Sequence, residues 1–501
     1  MNRKDKIKIR VFSIITIILL CIATTIKSFQ NDTFYIIKLG EDILKYGVDL
    51  VDHYCWVTNL AYTYPHWLYD VFLYLIYDNF SYLGVYVSTI ILFIILMSCI
   101  YKIQLNVNKN EFLALFVSFI SIGCLCGFAA ARSQLITVIL YFLQVYFIEK
   151  LISSGRQKYI LYLSLISLII ANVHATIWMF TFVLYLPFIV SHLVYKFINS
   201  KYCKKKIENK KIVIEEIKNI RLIIISFVTS LLMGLFSPSR ICYTYIFKVM
   251  MGVSQDYILE HAPLVVINNP MFIVLSLLLL IILIFSNVKI KLKELFMLCG
   301  LMLMCFTSVR HLIFFYTIGL LYITILVMRY LNEKKDRSLD ILGRLLVKNK
   351  FIYIFMYILV IGLSIYNYSK IYDTEYVPKR DYPVEVVEYL KNNLDIETLR
   401  LYNDYDYGSY LLYNDIPVFI DSRCDLYLPE FNGLEYNIFL DDMLIYNDYR
   451  EKFKFYNVSH VLVNKEDILF KIIINDDDYK EIYSDKYFIL FERISYEEGK
   501  V

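Results

Sequence analysis

The 501-residue chain has little glycine, proline or charge: 15 Gly, 9 Pro, and Asp, Glu, Lys and Arg together only 20%. A soluble domain carries about a quarter charged residues, so this composition is that of a membrane protein. No Gly-rich phosphate loop is present, which excludes a nucleotide-driven pump of the Walker type. No pair of His stands four residues apart on a helix face, so the usual zinc spacing is missing. There is no repeat of fixed period, no low-complexity linker and no inverted repeat of the kind that marks many secondary transporters.

Cysteine offers no framework either. Cys21, Cys99, Cys124, Cys126, Cys299 and Cys305 fall inside apolar blocks, where cysteine behaves as a small hydrophobe. Cys124 and Cys126, two apart on a helix, face different ways. Only Cys55, Cys242 and Cys424 read as external, too few for a disulfide or metal set. Abundant Tyr, Ile, Lys and Asn read as an AT-rich coding bias, so no argument rests on a single Tyr.

What the chain does have is apolar blocks, 58% of residues being hydrophobic. Crossing about 30 Å of hydrocarbon takes about 20 residues of helix. The first block, Val11–Lys27, follows five basic residues and one acid in Met1–Arg10. No small-residue cleavage site follows it, so it reads as a first span with the N-terminus inside rather than as a signal peptide. Ten more blocks follow: Leu83–Tyr101, Phe112–Phe128, Leu135–Ile148, Tyr159–Val173, Ile177–Val194, Leu222–Phe236, Phe272–Phe285, Leu295–Val309, Ile313–Met328 and Phe351–Tyr366. With about eleven spans, the inner loops hold 29 Lys and Arg, while the outer loops before residue 373 hold 6. That is the positive-inside asymmetry, and it accounts for the basic residues without a nucleic-acid partner. Counting Trp67–Tyr77 as a span would reverse every later loop, so that stretch reads as re-entrant or interfacial.

From about Asp373 charge density rises and the runs shorten. Thr398–Tyr402, Pro417–Ile420, Val461–Val463 and Phe488–Phe491 have strand length, and Val384–Asn392 has a helical pattern. The expected fold class is therefore mostly α: a polytopic bundle over residues 1–372 with external loop 28–82, followed by a small extracytoplasmic α/β domain over 373–501.

Candidate functional groups gather on the outer side. In the first external loop, Ile36, Ile37, Ile43 and Leu44 share one face of a helix that Gly47 ends, and Lys38, Glu41, Asp42 and Lys45 share the other, so the helix is expected to lie on the outer surface. Asp32 stands where the first span gives way to this helix, as a helix cap or a base. Asp52-His53 and His66 follow, either solvated loop residues or acid–base partners. Asp70 interrupts an apolar stretch, where charge is functional by default. Arg132 and Arg310-His311 are isolated at outer turns, against the topological trend; snorkelling to headgroups or clamping a phosphate both fit. His174 ends a span on the same side, and Glu260-His261 lies in the outer segment Ser237–Pro270. Asp404, Asp406, Asp421 and Arg423 read as turn-fixing residues or acceptor contacts.

The segment Asp32-Thr33-Phe34-Tyr35…Leu39-Gly40-Glu41…Gly47…Asp52 resembles a bacterial branch of the GT-C superfamily of polytopic glycosyltransferases, which includes oligosaccharyltransferases and protein O-mannosyltransferases. Trp67-Leu68…Asp70, Ala131-Arg132-Ser133-Gln134, Asn172-Val173-His174, Arg310-His311 and Tyr402–Leu411 continued by Val418–Arg423 are similar too. The resemblance implies an inverting membrane glycosyltransferase in a bacterial plasma membrane. Its lipid-linked donor would be a polyprenyl-phosphate sugar, and its acceptor a glycan, lipid or protein. It implies Asp32 as catalytic base, with Asp52, His53, Asp70, Arg132, His174, Glu260, His261, Arg310 and His311 as substrate-binding residues. Two departures bear on the divalent metal that many members use: Thr33 follows Asp32 where a second acid is common, and Pro65-His66 replaces a His–Glu pair. A flippase for lipid-linked glycans and a non-enzymatic scaffold are the competing classes; spans nearly free of charge argue against the first.

Overall fold

The computed structural model describes residues 3–57, 60–200, 211–247 and 256–494. It is mostly helical and divides into two compact units. Among described residues, the first comprises 3–26, 86–247 and 256–373; the second comprises 27–85 and 374–494.

In the first unit every backbone amide at hydrocarbon depth has to be paired internally, which only a helix achieves within one segment. Among the described residues seven helices are long and apolar enough to cross: Arg3–Thr24, Trp67–Asn108, Glu111–Phe128, Gln134–Ser154, Ala175–Ile198, Val309–Glu333 and Lys350–Tyr372. An eighth would be the bent pair Ile220–Phe236 and Pro238–Tyr245, which turns through 119°. Four of the expected blocks thus give shorter or bent helices: Lys158–Val173, Ile220–Met233, Pro270–Phe285 and Leu292–Thr307, of 14 to 16 residues. At 1.5 Å per residue these reach about 21–24 Å, less than a full hydrocarbon thickness. The 42-residue helix Trp67–Asn108 breaks at Ser81, where φ is 54°. The stretch before the break groups with the second unit, apart from the span that follows.

Hydroxyls fasten these helices where the hydrophobic effect gives no preference between lipid and protein. Ser164 donates to Thr229 at 2.9 Å, Ser167 to the Ser230 carbonyl at 2.7 Å, and the Trp178 indole to Ser167 at 2.9 Å. Charges appear at helix ends, paired: Arg329 grips Glu294 through two bonds of 2.6 Å, and Lys293 meets Glu149 at 2.6 Å.

Among the described residues, the second unit joins residues 27–85 to residues 374–494. Its four-stranded sheet has the order Leu401–Tyr402, His460–Asn464, Phe488–Arg493, Tyr479–Ser484, with the first pair parallel and the others antiparallel. Pro417–Ile420, expected as a strand, makes only a single bridge, Val418 with Cys55 of the first loop. Tyr479–Ser484, rich in charge, is a strand that apolar runs alone do not reveal.

The Asn31–Tyr46 helix is amphipathic as expected, but its apolar face packs into protein rather than lying on a lipid surface. Phe34 is fully buried, with Tyr382 edge-on at 4.8 Å and Tyr410 at 5.1 Å. Aromatic rings of the C-terminal segment thus cover the stripe that a bilayer would otherwise take. Gly40 permits the crossing beneath: a Cβ there would stand 2.1 Å from the Asp70 carbonyl oxygen. Gly408 does the same, with the Ile420 carbonyl oxygen 1.9 Å from its Cβ position.

At the heart of this unit Arg423 lies wholly buried between two carboxylates. It donates to Asp52 at 2.5 Å and to Asp421 at 2.6 and 2.9 Å, and its guanidinium lies over the Tyr62 ring at 4.8 Å. Tyr427 donates to Asp421 at 2.7 Å, and the Cys55 amide to Asp52 at 2.7 Å. Removing one partner strands the others in low dielectric, so Arg423→Ala should destabilise the unit by about 3–5 kcal/mol. Arg380→Ala, which breaks the exposed pair with Glu466, should change stability by about 0–1 kcal/mol. Thermal melts of the two purified variants check this; equal melting temperatures would contradict it.

Candidate functional site

The first unit brings together four of the expected residues from three separate loops. Arg132 follows three buried alanines at the turn before the Gln134–Ser154 helix. Its guanidinium meets Glu260 at 2.6 Å. The chain around Glu260 is stitched to the turn holding Arg310: the Glu260 carbonyl accepts from the Arg310 amide at 3.2 Å and the Ser308 hydroxyl at 2.9 Å, and the Ala262 carbonyl accepts from Val309 at 2.9 Å. Arg310 in turn donates to His261 Nε2 at 2.7 Å. A nitrogen that accepts from a guanidinium carries no proton, so His261 is the neutral Nδ1–H tautomer.

The electrostatics agree. Burial and then the Arg310 charge push the His261 imidazole down to about 4. Burial would raise the Glu260 carboxyl, but Arg132 and Arg310 outweigh it and hold it below its ordinary value. Two guanidiniums face one carboxylate and one neutral imidazole, leaving an excess of positive charge at the loop ends.

His174, buried at the end of the Lys158–Val173 helix, is aimed by a residue the sequence pattern does not single out. Thr137 Oγ1 already donates to the Ser133 carbonyl at 2.9 Å, so it accepts from His174 Nδ1 at 3.1 Å, and Nε2 is the basic nitrogen. Thr137 lies in the first turn of the Gln134–Ser154 helix, five residues after Arg132. His311 does not join the cluster: its Nδ1 donates to the Met304 carbonyl at 2.9 Å.

The remaining candidates lie in the second unit. Asp32 is in the first turn of the Asn31–Tyr46 helix, with Gln30 rather than Asp32 at the cap position. A carboxylate there is favoured by the helix dipole. Asn31 beside it donates to the Tyr405 carbonyl at 2.7 Å. Burial first, then negative neighbours that include Asp32, push the hydroxyls of Tyr382 and Tyr405 up. Asp404 caps the Tyr405–Tyr413 helix, and burial followed by Asp406 lifts it to about 7.

Asp52, expected to touch substrate, is enclosed: both its oxygens are taken by Arg423 and by backbone amides of its own loop. Spacing cannot reveal that pairing, since 371 residues separate the partners. Asp421 and Arg423 likewise hold the interior, and Asp421 also fixes the expected turn by accepting from the Arg423 amide at 2.9 Å. His53 is exposed and pairs with Asp49 at 2.5 Å. Asp70 is completely buried, and neither of its carboxylate oxygens has a hydrogen-bond partner among the described residues. No three of His, Cys, Asp and Glu converge as a metal-ion set among the described residues.

The imidazole gives the cluster a defined pH response. His261 takes up its proton near 6.5 in an unfolded chain but only near 4 in the fold. Between those values the unfolded state binds more protons, so stability falls as pH drops from about 6.5 to 4. Glu260, depressed in the fold, loses its contribution in the same direction. His261→Gln should reduce this acid-side loss, and melting temperature against pH measures it; a slope identical to the parent's would refute the assignment.

No protein-family model matches the chain, and no curated protein matches it by sequence. Solved structures do match in shape. The archaeal oligosaccharyltransferase AglB from Archaeoglobus fulgidus, in complex with an inhibitory peptide and a dolichol-phosphate, aligns with a TM-score of 0.58 at 10% identity, over 92% of this chain and 69% of that one. The Archaeoglobus fulgidus oligosaccharyltransferase in its apo form aligns with a TM-score of 0.58 at 11% identity, over 92% and 70%. A further structure of that enzyme, in complex with Zn and sulfate, aligns with a TM-score of 0.55 at 10% identity, over 91% and 68%. The chain shares the overall fold of these oligosaccharyltransferases.

Proposed function

We propose that this protein is an integral membrane glycosyltransferase that moves a sugar from a polyprenyl-phosphate donor to an acceptor on the extracytoplasmic side, inverting the anomeric carbon. The observation that carries this reading is the Arg132–Glu260–Arg310–His261 cluster, assembled from three loops of a chain with an oligosaccharyltransferase fold. AglB was solved with a dolichol-phosphate and, in another structure, the enzyme was tethered to an acceptor peptide. A lipid phosphate and a separate acceptor are the partners that this chemistry would need.

In this reading Arg132 and Arg310 hold the donor phosphate, since guanidinium offers paired N–H donors to phosphate oxygens. Glu260 and His261 are positioning residues: each fixes one guanidinium through a single short contact. A neutral His261 orients Arg310 without cancelling its charge. His174, its tautomer set by Thr137, presents Nε2 to the substrate. Asp32 takes the proton of an acceptor hydroxyl as its oxygen attacks the anomeric carbon. The bond from that carbon to the phosphate oxygen breaks, and polyprenyl phosphate leaves. Negative charge grows on the departing oxygen, so fixed cations help most at the transition state.

Asp32→Asn should lower transfer by roughly 10²–10⁴-fold, the usual contribution of a positioned base, without reducing membrane abundance. Mass spectrometry of surface glycans compares cells lacking the protein, cells expressing it and cells expressing the variant. Glycans restored fully by Asp32→Asn would remove the proposed base, and glycans unchanged by loss of the protein would remove the proposed activity.

A further inference from the structure

The connection between two span-length helices, Val309–Glu333 and Lys350–Tyr372, is itself helical over Ser338–Lys348. Its residues fall into three sectors of the 3.6-residue turn. Gly343, Leu346 and Val347 are buried, with Leu346 and Val347 in a cluster formed by Ile9, Phe12, Leu115 and Val360. Asn110 adds a polar tie to Asp340 at 3.4 Å. The second sector, Ile341, Leu342 and Leu345, is apolar yet 54%, 46% and 49% exposed. The third sector, alongside it, carries Arg337, Arg344 and Lys348, all exposed and without an ion-pair partner among the described residues. From Lys334 to Lys350 the chain holds six basic residues and two acids.

We infer that the Ser338–Lys348 helix is a surface anchor for anionic phospholipid, its apolar edge dipping among acyl chains and its basic edge gripping headgroups. Both neighbours are long enough to cross, so a connection this short lies at the bilayer surface. A half-exposed Ile–Leu–Leu edge beside unpaired cations is what an interfacial helix presents to an acidic leaflet. The packed sector of Gly343, Leu346 and Val347 holds the helix at a set depth, which a freely bound amphipathic segment lacks. This site is separate from the Arg132–Arg310 cluster and stands whether or not the protein transfers sugar.

The test uses the full-length protein in nanodiscs of phosphatidylcholine, with or without phosphatidylglycerol. A fluorescent non-natural amino acid at position Leu345 should be quenched by acyl-brominated lipid and shielded from iodide in both compositions. Phosphatidylglycerol retained through purification from mixed vesicles should fall in the triple variant Arg337→Gln, Arg344→Gln, Lys348→Gln. Its preference over phosphatidylcholine should weaken roughly fivefold per charge removed. An unchanged melting temperature in detergent would show that the variant folds. A probe quenched by iodide and untouched by brominated lipid would overturn the anchor, and undiminished phosphatidylglycerol retention would overturn the headgroup grip.

Discussion

A peptide bond cannot cross hydrocarbon with its N–H and C=O unpaired, and most of the first unit follows from that constraint. It forces helices, and it expels charge from their middles. Ionisable groups that remain are pushed to the ends, where they are paired: Arg329 with Glu294, Lys293 with Glu149. Polar contacts at depth are made by uncharged groups that hydrogen-bond across helices: hydroxyls, the Trp178 indole and the amides of Gln104 and Gln144. Chemistry that needs acids and cations is thereby confined to loops at helix ends. Arg132, Glu260 and Arg310 stand in such loops because the helices between them have no place for charge.

The second unit meets a different cost. Arg423 and two carboxylates are buried together, and desolvating three ions is offset only because nearly every donor is used: Asp421 receives Arg423 and Tyr427, and Asp52 receives Arg423 and two amides. Such a network contributes little net stability over an apolar core but penalises any arrangement that leaves a member unpaired. It ties the loop bearing Asp52 to the segment bearing Arg423, 371 residues further along the chain. The Asn31–Tyr46 helix, with Asp32 in its first turn, is held by the same unit through Phe34 and the close crossing at Gly40.

In the cation cluster, geometry and protonation support one another. A protonated His261 could not accept from Arg310 and would add a repelling charge beside it. Burial and the Arg310 charge keep the imidazole neutral, and neutrality permits the bond. Thr137 does the corresponding work for His174 by spending its only proton on a backbone carbonyl. Both imidazoles are thus set by ordinary hydrogen-bond arithmetic rather than by a neighbouring acid.

Apolar blocks, the uneven spread of Lys and Arg among the loops, and the change of composition near residue 373 were legible in the linear sequence, because hydrocarbon acts on stretches of about 20 neighbouring residues. So was the isolation of Arg132 and Arg310 at their turns. Block length was less legible: the Ile220–Met233 segment looks like a span until its chain is seen to bend after Phe236. The burial of Asp52 was not legible at all, nor was the cover over Phe34, nor the tautomer of His174. Those depend on which distant residue arrives alongside, Arg423, Tyr382 or Thr137. Hydrophobic patterning is local and survives in the sequence, whereas a hydrogen bond or ion pair exists only when folding brings both partners within about 3 Å.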